Sequence, residues 1–387
     1  MMRYKLGEIF NLQMGKTPDR HSPKFWNEGT EPWISIADLT KCNKYIENTA
    51  EKITATAVDE SGIKIIPKNT VIMSFKLSIG KVAITPKEMY SNEAIMSFID
   101  KGVLKIEPVY LYYLLMHKDW DTGTNKAVMG KTLNKASLSQ MTVNIHGYSE
   151  QLKIIKALDA ASSIIAARKQ QLTELDNLIK ARFIELFGDP VTNPMDWPTK
   201  PLLEMGYCKN GMNFHTGDSS IEMHCLGVGD FKDYSVIDGT DYLPTISLNE
   251  APPEESMLQD GDLVFVRSNG NKALVGRCLL VYPHNTPTTY SGFCIRYRLT
   301  SAEVNIAYLL RVLKTDSMRK KMAGRGANIQ NLNQQILATL NIPTPPLELQ
   351  EWFTAFVEQI DKSKVAVQKA LDEAQLLVDS LMQKYFG

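Results

Sequence analysis

The residue types that most often do chemistry are present in this chain, but not in chemical spacing. Two Gly-Lys-Thr triplets, Gly15-Lys16-Thr17 and Gly130-Lys131-Thr132, invite a phosphate-loop reading. Phe10 and Asn125, however, stand where that loop requires its first glycine. Each triplet is therefore read as a turn or a backbone contact to phosphate. The histidines, His21, His117, His146, His215, His224 and His284, show no His-Glu-x-x-His or other ligand spacing. Five cysteines form no Cys-x-x-Cys pair and are odd in number, which fits reduced packing residues better than disulfides or a zinc site. No nucleophile, base and orienting partner can be argued, so no catalytic residue, metal or cofactor is expected.

What remains is the chemistry of binding. Lys126, Lys131 and Asn134 lie in a loop dense in Gly, Lys, Thr and Asn from Gly123 to Asn134. Arg319, Lys321, Arg325, Asn328, Gln330 and Asn331 lie in a matching basic, amide-rich loop. Cations neutralise phosphate and amides pair with base edges, while glycine allows close backbone approach. A second pair of candidates follows two β-like runs: Lys76, Ser78 and Lys81, and Arg267, Asn269, Asn271 and Lys272. Lys16 and Thr17 complete the set. Lys plus Arg equals Asp plus Glu at 43 each, so any basic surface must be local.

The elements that must position these loops come twice. Ser149 to Phe187 contains neither proline nor glycine and, as one helix, would run roughly 58 Å. Its seam on alternating four and three spacing includes Ile154, Leu158, Ile165, Leu172 and Ile179. Adding 199 gives a second seam in the same phase, with Val357, Ile360, Leu371 and Val378. Leu133-Asn134 answers Leu332-Asn333, Gln151 answers Gln350, and Phe187-Gly188 answers Phe386-Gly387. Arg168, Arg182 and Lys364 interrupt the seams at positions that are apolar in the other copy.

This is an internal repeat. A chain of 387 residues exceeds one core, and the repeat favours two domains. Short β-like runs precede each helix: Trp33 to Ile36, Val71 to Phe75, Lys81 to Ile84 and Ala94 to Ile99, then Asp262 to Val266, Cys278 to Tyr282 and Phe293 to Leu299. The expected fold is α+β with a pseudo-two-fold repeat: globule 1–148, helix 149–188, globule 189–346 and helix 347–387. The two helices are expected to pair as an antiparallel coiled coil. No run of eighteen apolar residues occurs, so a membrane span or secretion is not expected, and a cytoplasmic location is.

The order globule, long helix, globule, long helix resembles the specificity subunit of type I restriction-modification enzymes over the full chain. Gly15-Lys16-Thr17-Pro18, Phe25-Trp26 and Trp33-Ile34-Ser35-Ile36-Ala37-Asp38 resemble its Gly-x-Thr-Pro, aromatic-Trp and Trp-Ile-x-x-x-Asp signature. Pro346-Leu347-Glu348-Leu349-Gln350 resembles the Pro-Leu-x-x-Gln that opens its spacer helices, and Tyr148-Ser149-Glu150-Gln151 keeps the glutamine. The second globule keeps Gly211 and Asp230 but not Thr-Pro or Trp.

The resemblance implies a non-catalytic subunit that reads a bipartite, asymmetric site on double-stranded DNA, one half per target recognition domain. It also implies that the subunit docks two modification (methyltransferase) subunits and, through them, restriction (motor-nuclease) subunits. Two rivals stand beside it: a stand-alone DNA methyltransferase or nuclease, and a coiled-coil protein scaffold. On the first reading the purified chain alone neither transfers methyl groups to DNA nor cuts it. Either activity in the absence of partner subunits would overturn that reading.

Overall fold

The computed structural model describes residues 1–76, 78–120, 125–127, 130–213, 221–231, 235–323 and 331–387. Contacts divide the chain into two compact units, Met1–Gln170 with Gln368–Gly387, and Gln171–Val367.

The first unit is built on an antiparallel sheet ordered Phe10–Met14, Ile95–Asp100, Val71–Ser74, Val82–Ile84. Its central strands are buried along most of their length, as expected of a sheet covered on both faces. On one side lie Pro108–His117 and the long-helix segments; on the other lies a small sheet of Glu51–Ile53, Glu31–Ile34 and Tyr90–Ser91. Met2–Lys5 pairs antiparallel with Thr142–Ile145 and so ties the start of the chain to the entry of the first long helix.

The second unit repeats this plan. Its main sheet runs Gly206–Asn210, Cys294–Leu299, Asp262–Val266, Cys278–Tyr282, with Val236–Asp238 added in parallel at the edge. Thr245–Leu248, Ile221–Leu226 and Thr288–Tyr290 form the small sheet, and Thr199–Pro201 pairs with Asn341–Pro343. All five cysteines are free, and burial pushes the thiols of Cys225 and Cys294 up to about 12, as packing residues rather than nucleophiles.

Local chemistry moves three expected boundaries. The strand at Trp33 ends at Ile34, because Ser35 opens a helix over Ile36–Lys41: Ser35 Oγ accepts from Asp38 N (3.2 Å) and Asp38 Oδ2 from Ser35 N (2.8 Å). The stretch Gly123 to Asn134, expected as a loop, carries a hairpin of Asn125–Ala127 with Gly130–Thr132. Arg319 and Lys321, expected in a loop, lie on a helix, Asp316–Ala323.

Both long helices span 40 residues, Tyr148–Phe187 and Leu347–Phe386, and pack as an antiparallel pair. Phe183 meets Phe353 with ring centroids 5.6 Å apart, whereas Asp176 meets Lys364 at 2.7 Å. Ile154, Leu158, Ile179 and Val357 are buried; Ile165, Leu172, Ile360, Leu371 and Val378 are half-buried. The polar interruptions are occupied too. Lys364 bonds Asp176, and Arg182 lies over the Trp352 ring (4.7 Å) while bonding Glu185 (2.7 Å).

Each helix is fixed at its entry by one buried glutamine. Gln151, 1% exposed, donates to Lys105 O (3.1 Å) and His146 O (3.0 Å) and accepts from Glu107 N (3.1 Å). Gln350, 0% exposed, donates to Glu303 O (3.1 Å) and Pro345 O (2.7 Å) and accepts from Asn305 N (2.8 Å). Three backbone groups in each unit thus depend on one side chain. Gln151→Leu or Gln350→Leu removes that partner from part-buried groups, at up to about 1–3 kcal/mol each where water cannot reach them. Either substitution should lower the midpoint of thermal unfolding by at least about 2–4 °C. An unchanged midpoint by calorimetry would mean that water replaces the amide.

Candidate nucleic-acid interface

In the first unit the segment after strand Val71–Ser74 is a tight loop. Ser74 Oγ donates to Ser78 O and accepts from Lys81 N (3.1 Å), and Gly80 N returns to Ser74 O (3.0 Å). Gly80 has φ +87°, in the left-handed region that favours glycine, with the Trp120 ring against it. These bonds present Lys76 and Lys81 half-buried and Ser78 exposed. Leu133 N donates to Phe75 O (3.1 Å), so the hairpin that carries Lys126 and Lys131 is delivered to the same edge. Asn134, just beyond, caps the helix Lys135–Gln140 by accepting from Ser137 N (2.8 Å).

The second unit repeats the juxtaposition. Leu332 N donates to Arg267 O (2.8 Å), Ser268 bridges Asn331, and Asn333 caps Gln334–Ala338 by accepting from Ile336 N (2.8 Å). Within the loop, Asn269 Oδ1 accepts from Asn271 N (2.8 Å) and Asn271 Oδ1 from Ala273 N (3.1 Å). Both asparagines and Lys272 are exposed. In each unit, therefore, the described parts of two loops that the sequence offered separately meet through one backbone bond.

Some candidates have internal work. Arg319 donates to Ala273 O (3.0 Å) and Val275 O (3.4 Å), which pins the 267–274 loop, and burial lowers its pKa. Arg267 donates to Gly292 O (3.3 Å). Lys16 Nζ is bonded to Ser61 O, and Thr17 to Glu93. Lys321 is exposed. Arg325, Asn328 and Gln330 lie outside the described residues, as do the side chains of Lys126 and Lys131.

The signature residues near the start of each unit are structural. A Cβ on Gly15 would come within 2.1 Å of Ser91 O, and one on Gly211 within 2.1 Å of Ser291 O, so only glycine fits. Trp33 Nε1 donates to Lys16 O (3.1 Å) and holds that turn, and Arg20 stacks on Trp26 (3.9 Å) while bonding Glu51 (2.5 Å). Asp38 and Asp230 do one job in the two units: Asp230 Oδ2 accepts from Gly227 N (2.8 Å), as Asp38 does from Ser35 N.

Sequence reasoning missed two groups. Lys44 bonds Asp159, which also accepts from Tyr113 Oη (2.6 Å), tying the first globule to its long helix; these partners keep the Lys44 pKa raised although burial opposes them. The other is a buried arginine in the second unit, described below. Among the described residues, no set of His, Cys, Asp or Glu could hold a metal ion, and no helix is long and apolar enough to cross a membrane.

This arrangement has known counterparts. Residues 1–177 and 250–374 match the model of the type I restriction modification DNA specificity domain. The MjaIX specificity subunit of Methanocaldococcus jannaschii is 23% identical over 402 residues, covering 98% of this chain and 91% of that protein. The StySPI specificity subunit of Salmonella potsdam is 24% identical over 300 residues, covering 72% and 64%. Among solved structures, the S subunit from M. genitalium covers 100% of this chain and 96% of its own, with TM-score 0.55 and 14% identity. A chain from a structure of type I R-M complex assembly gives TM-score 0.62 at 16% identity, covering 100% and 97%. With two matched segments that together span most of its length, this protein belongs to the type I restriction-modification DNA specificity family, as a specificity subunit with two recognition domains.

Proposed function

We propose that each unit reads one half of a bipartite, asymmetric site on double-stranded DNA, and that the chain is itself non-catalytic. It docks two modification subunits and, through them, restriction subunits, which supply methyl transfer and cleavage in the cytoplasm. The observation that carries this reading is the doubled edge: in both units a polar loop after a central strand is bonded to the segment before an asparagine-capped helix. Cations and amides there offer the two kinds of contact that position a protein on DNA and read it. The matched helix pair supports a role in setting the spacing between half-sites. Binding to mixed-sequence duplex with the modification subunit present, at low and moderate salt, tests the reading; no salt-dependent binding would favour a protein scaffold.

Lys131 and Arg325 belong to equivalent segments. Neutralising either, as Lys131→Gln or Arg325→Gln, should lower the slope of log affinity against log salt by about 0.9. An unchanged slope would remove that residue from the phosphate contacts. Loss of an amide, as in Asn331→Ala, should instead relax specificity at one position of the site. Uniform weakening across sequences would mark it as a positioning contact.

The helices generate a further expectation. Four residues inserted within 173–181 add about 6 Å of helical rise and about one turn, so most of the seam re-forms. The same two half-sequences should then be methylated with a spacer longer by about one or two base pairs, at 3.4 Å per step. Methylome sequencing reads this directly, and an unaltered spacer with full activity would show that helix length does not set it.

A further inference from the structure

One cation in the second unit has no ion pair among the described residues. Arg296, in the middle of strand Cys294–Leu299, is 0% exposed, and Nε, Nη1 and Nη2 all lack a hydrogen-bond partner among the described residues. The first unit does without it. Gly15 N and Gly211 N donate to Ile95 O and Cys294 O respectively, and this register sets Ser97 where Arg296 stands.

Strand pairing places Lys209 opposite Arg296 and Tyr207 opposite Arg298, so the four side chains share one face of the sheet. Among the described residues, three cations on that face meet two bonded carboxylates, and both are taken. Arg298 holds Asp262 through bonds of 2.8 and 2.7 Å, and Lys209 holds Glu255 at 2.5 Å. Arg296 is left over the Tyr207 ring, its guanidinium carbon 5.1 Å from the centroid. Tyr290 directs its hydroxyl to Lys209 O (3.3 Å), and its oxygen also lies beside the Arg296 guanidinium, outside good hydrogen-bond geometry. A buried guanidinium with no carboxylate partner, and only a poorly aligned phenol oxygen beside it, is unfavourable, and such a group in a native fold calls for an account.

The cover above Arg296 suggests one. Tyr207 is 46% exposed, and the Lys209 and Glu255 side chains are 39% and 63% exposed. Glu255 is already within electrostatic range of both cations: its pKa is lowered first by the Lys209 hydrogen bond and, to a lesser degree, by the charge of Arg296. The carboxylate is held by Lys209, the cross-strand neighbour of Arg296.

We propose that Arg296 is a positioning residue for DNA binding by the second unit: when a backbone phosphate takes Lys209, Glu255 turns inward to Arg296, so that Lys209 is released without leaving a carboxylate unpaired. The proposal rests on the DNA-reading function above. It explains why an uncompensated charge is kept where the first unit has serine. It also predicts opposite effects of one substitution on stability and on binding.

The test uses the full chain with its modification subunit and mixed-sequence duplex DNA. Arg296→Met should raise the midpoint of thermal unfolding, because the unpaired charge is gone. The same variant should weaken binding and lower the salt slope by about 0.9, as Lys209→Met does. The double variant should bind no more weakly than either single one, because both act on the same phosphate contact. Arg296→Lys, which keeps the charge, should restore binding relative to Arg296→Met. A lowered midpoint for Arg296→Met, or an affinity and slope like those of the unsubstituted protein, would overturn the proposal. So would an Arg296→Lys variant that binds no better than Arg296→Met. If the unsubstituted protein shows no salt-dependent binding, the DNA-reading function falls first and this inference with it; if it binds and only the Arg296 variants fail to differ, the inference alone falls.

Discussion

In each unit the way the long helix begins is fixed by a single buried amide. A helix entry has backbone groups that the helix itself does not satisfy, and so do the segments that converge on it. Gln151 and Gln350 each bond three such groups, from two separate stretches of chain. An amide suits the task because it donates and accepts from one planar head, whereas a carboxylate only accepts and an ammonium only donates. Once the entry is fixed, the heptad phase sets which residues face the partner helix and which enter the globule.

The same economy governs the loops. In each unit a central strand of the main sheet ends in a polar loop, and the chain returns to that loop immediately before an asparagine-capped helix. The cap fixes where the helix begins, and the backbone bond fixes the loop against it. The two copies of the frame nevertheless carry different side chains at one register position of a central strand, Ser97 and Arg296, without a change of strand order around them.

Much of this was legible in the sequence, and the exceptions are physical. The long helices and the repeat were visible because a heptad seam is a strong periodic signal and the second seam follows it in phase. Gln151 and Gln350 were visible as a repeated identity, but not as clamps, since their partners at Lys105, Glu107, Glu303 and Asn305 lie far away in sequence. The helix at Asp316–Ala323 was read as loop because its basic residues masked a short amphipathic turn anchored by buried Met318 and Met322. The convergence of candidate loops could not be read at all, being a consequence of strand order. Arg296 was invisible for another reason: Cys294-Ile295-Arg296-Tyr297-Arg298 alternates as a half-exposed strand would, and only packing in the folded unit buries the arginine.

The division of the chain bears on the order in which it can fold. The second unit is one continuous stretch, Gln171–Val367, whereas the first needs Met1–Gln170 and also Gln368–Gly387. Met382 belongs to the same buried cluster as Ile154 and Leu158, so that cluster stays open until the last helical turns have emerged from the ribosome. The globule that is synthesised first is therefore the one that closes last. Its closure pairs residues more than two hundred positions apart, the kind of contact that slows folding and leaves apolar surface uncovered meanwhile. During synthesis the chain's exposure to aggregation is thus concentrated in its first globule, on the face that awaits the second helix.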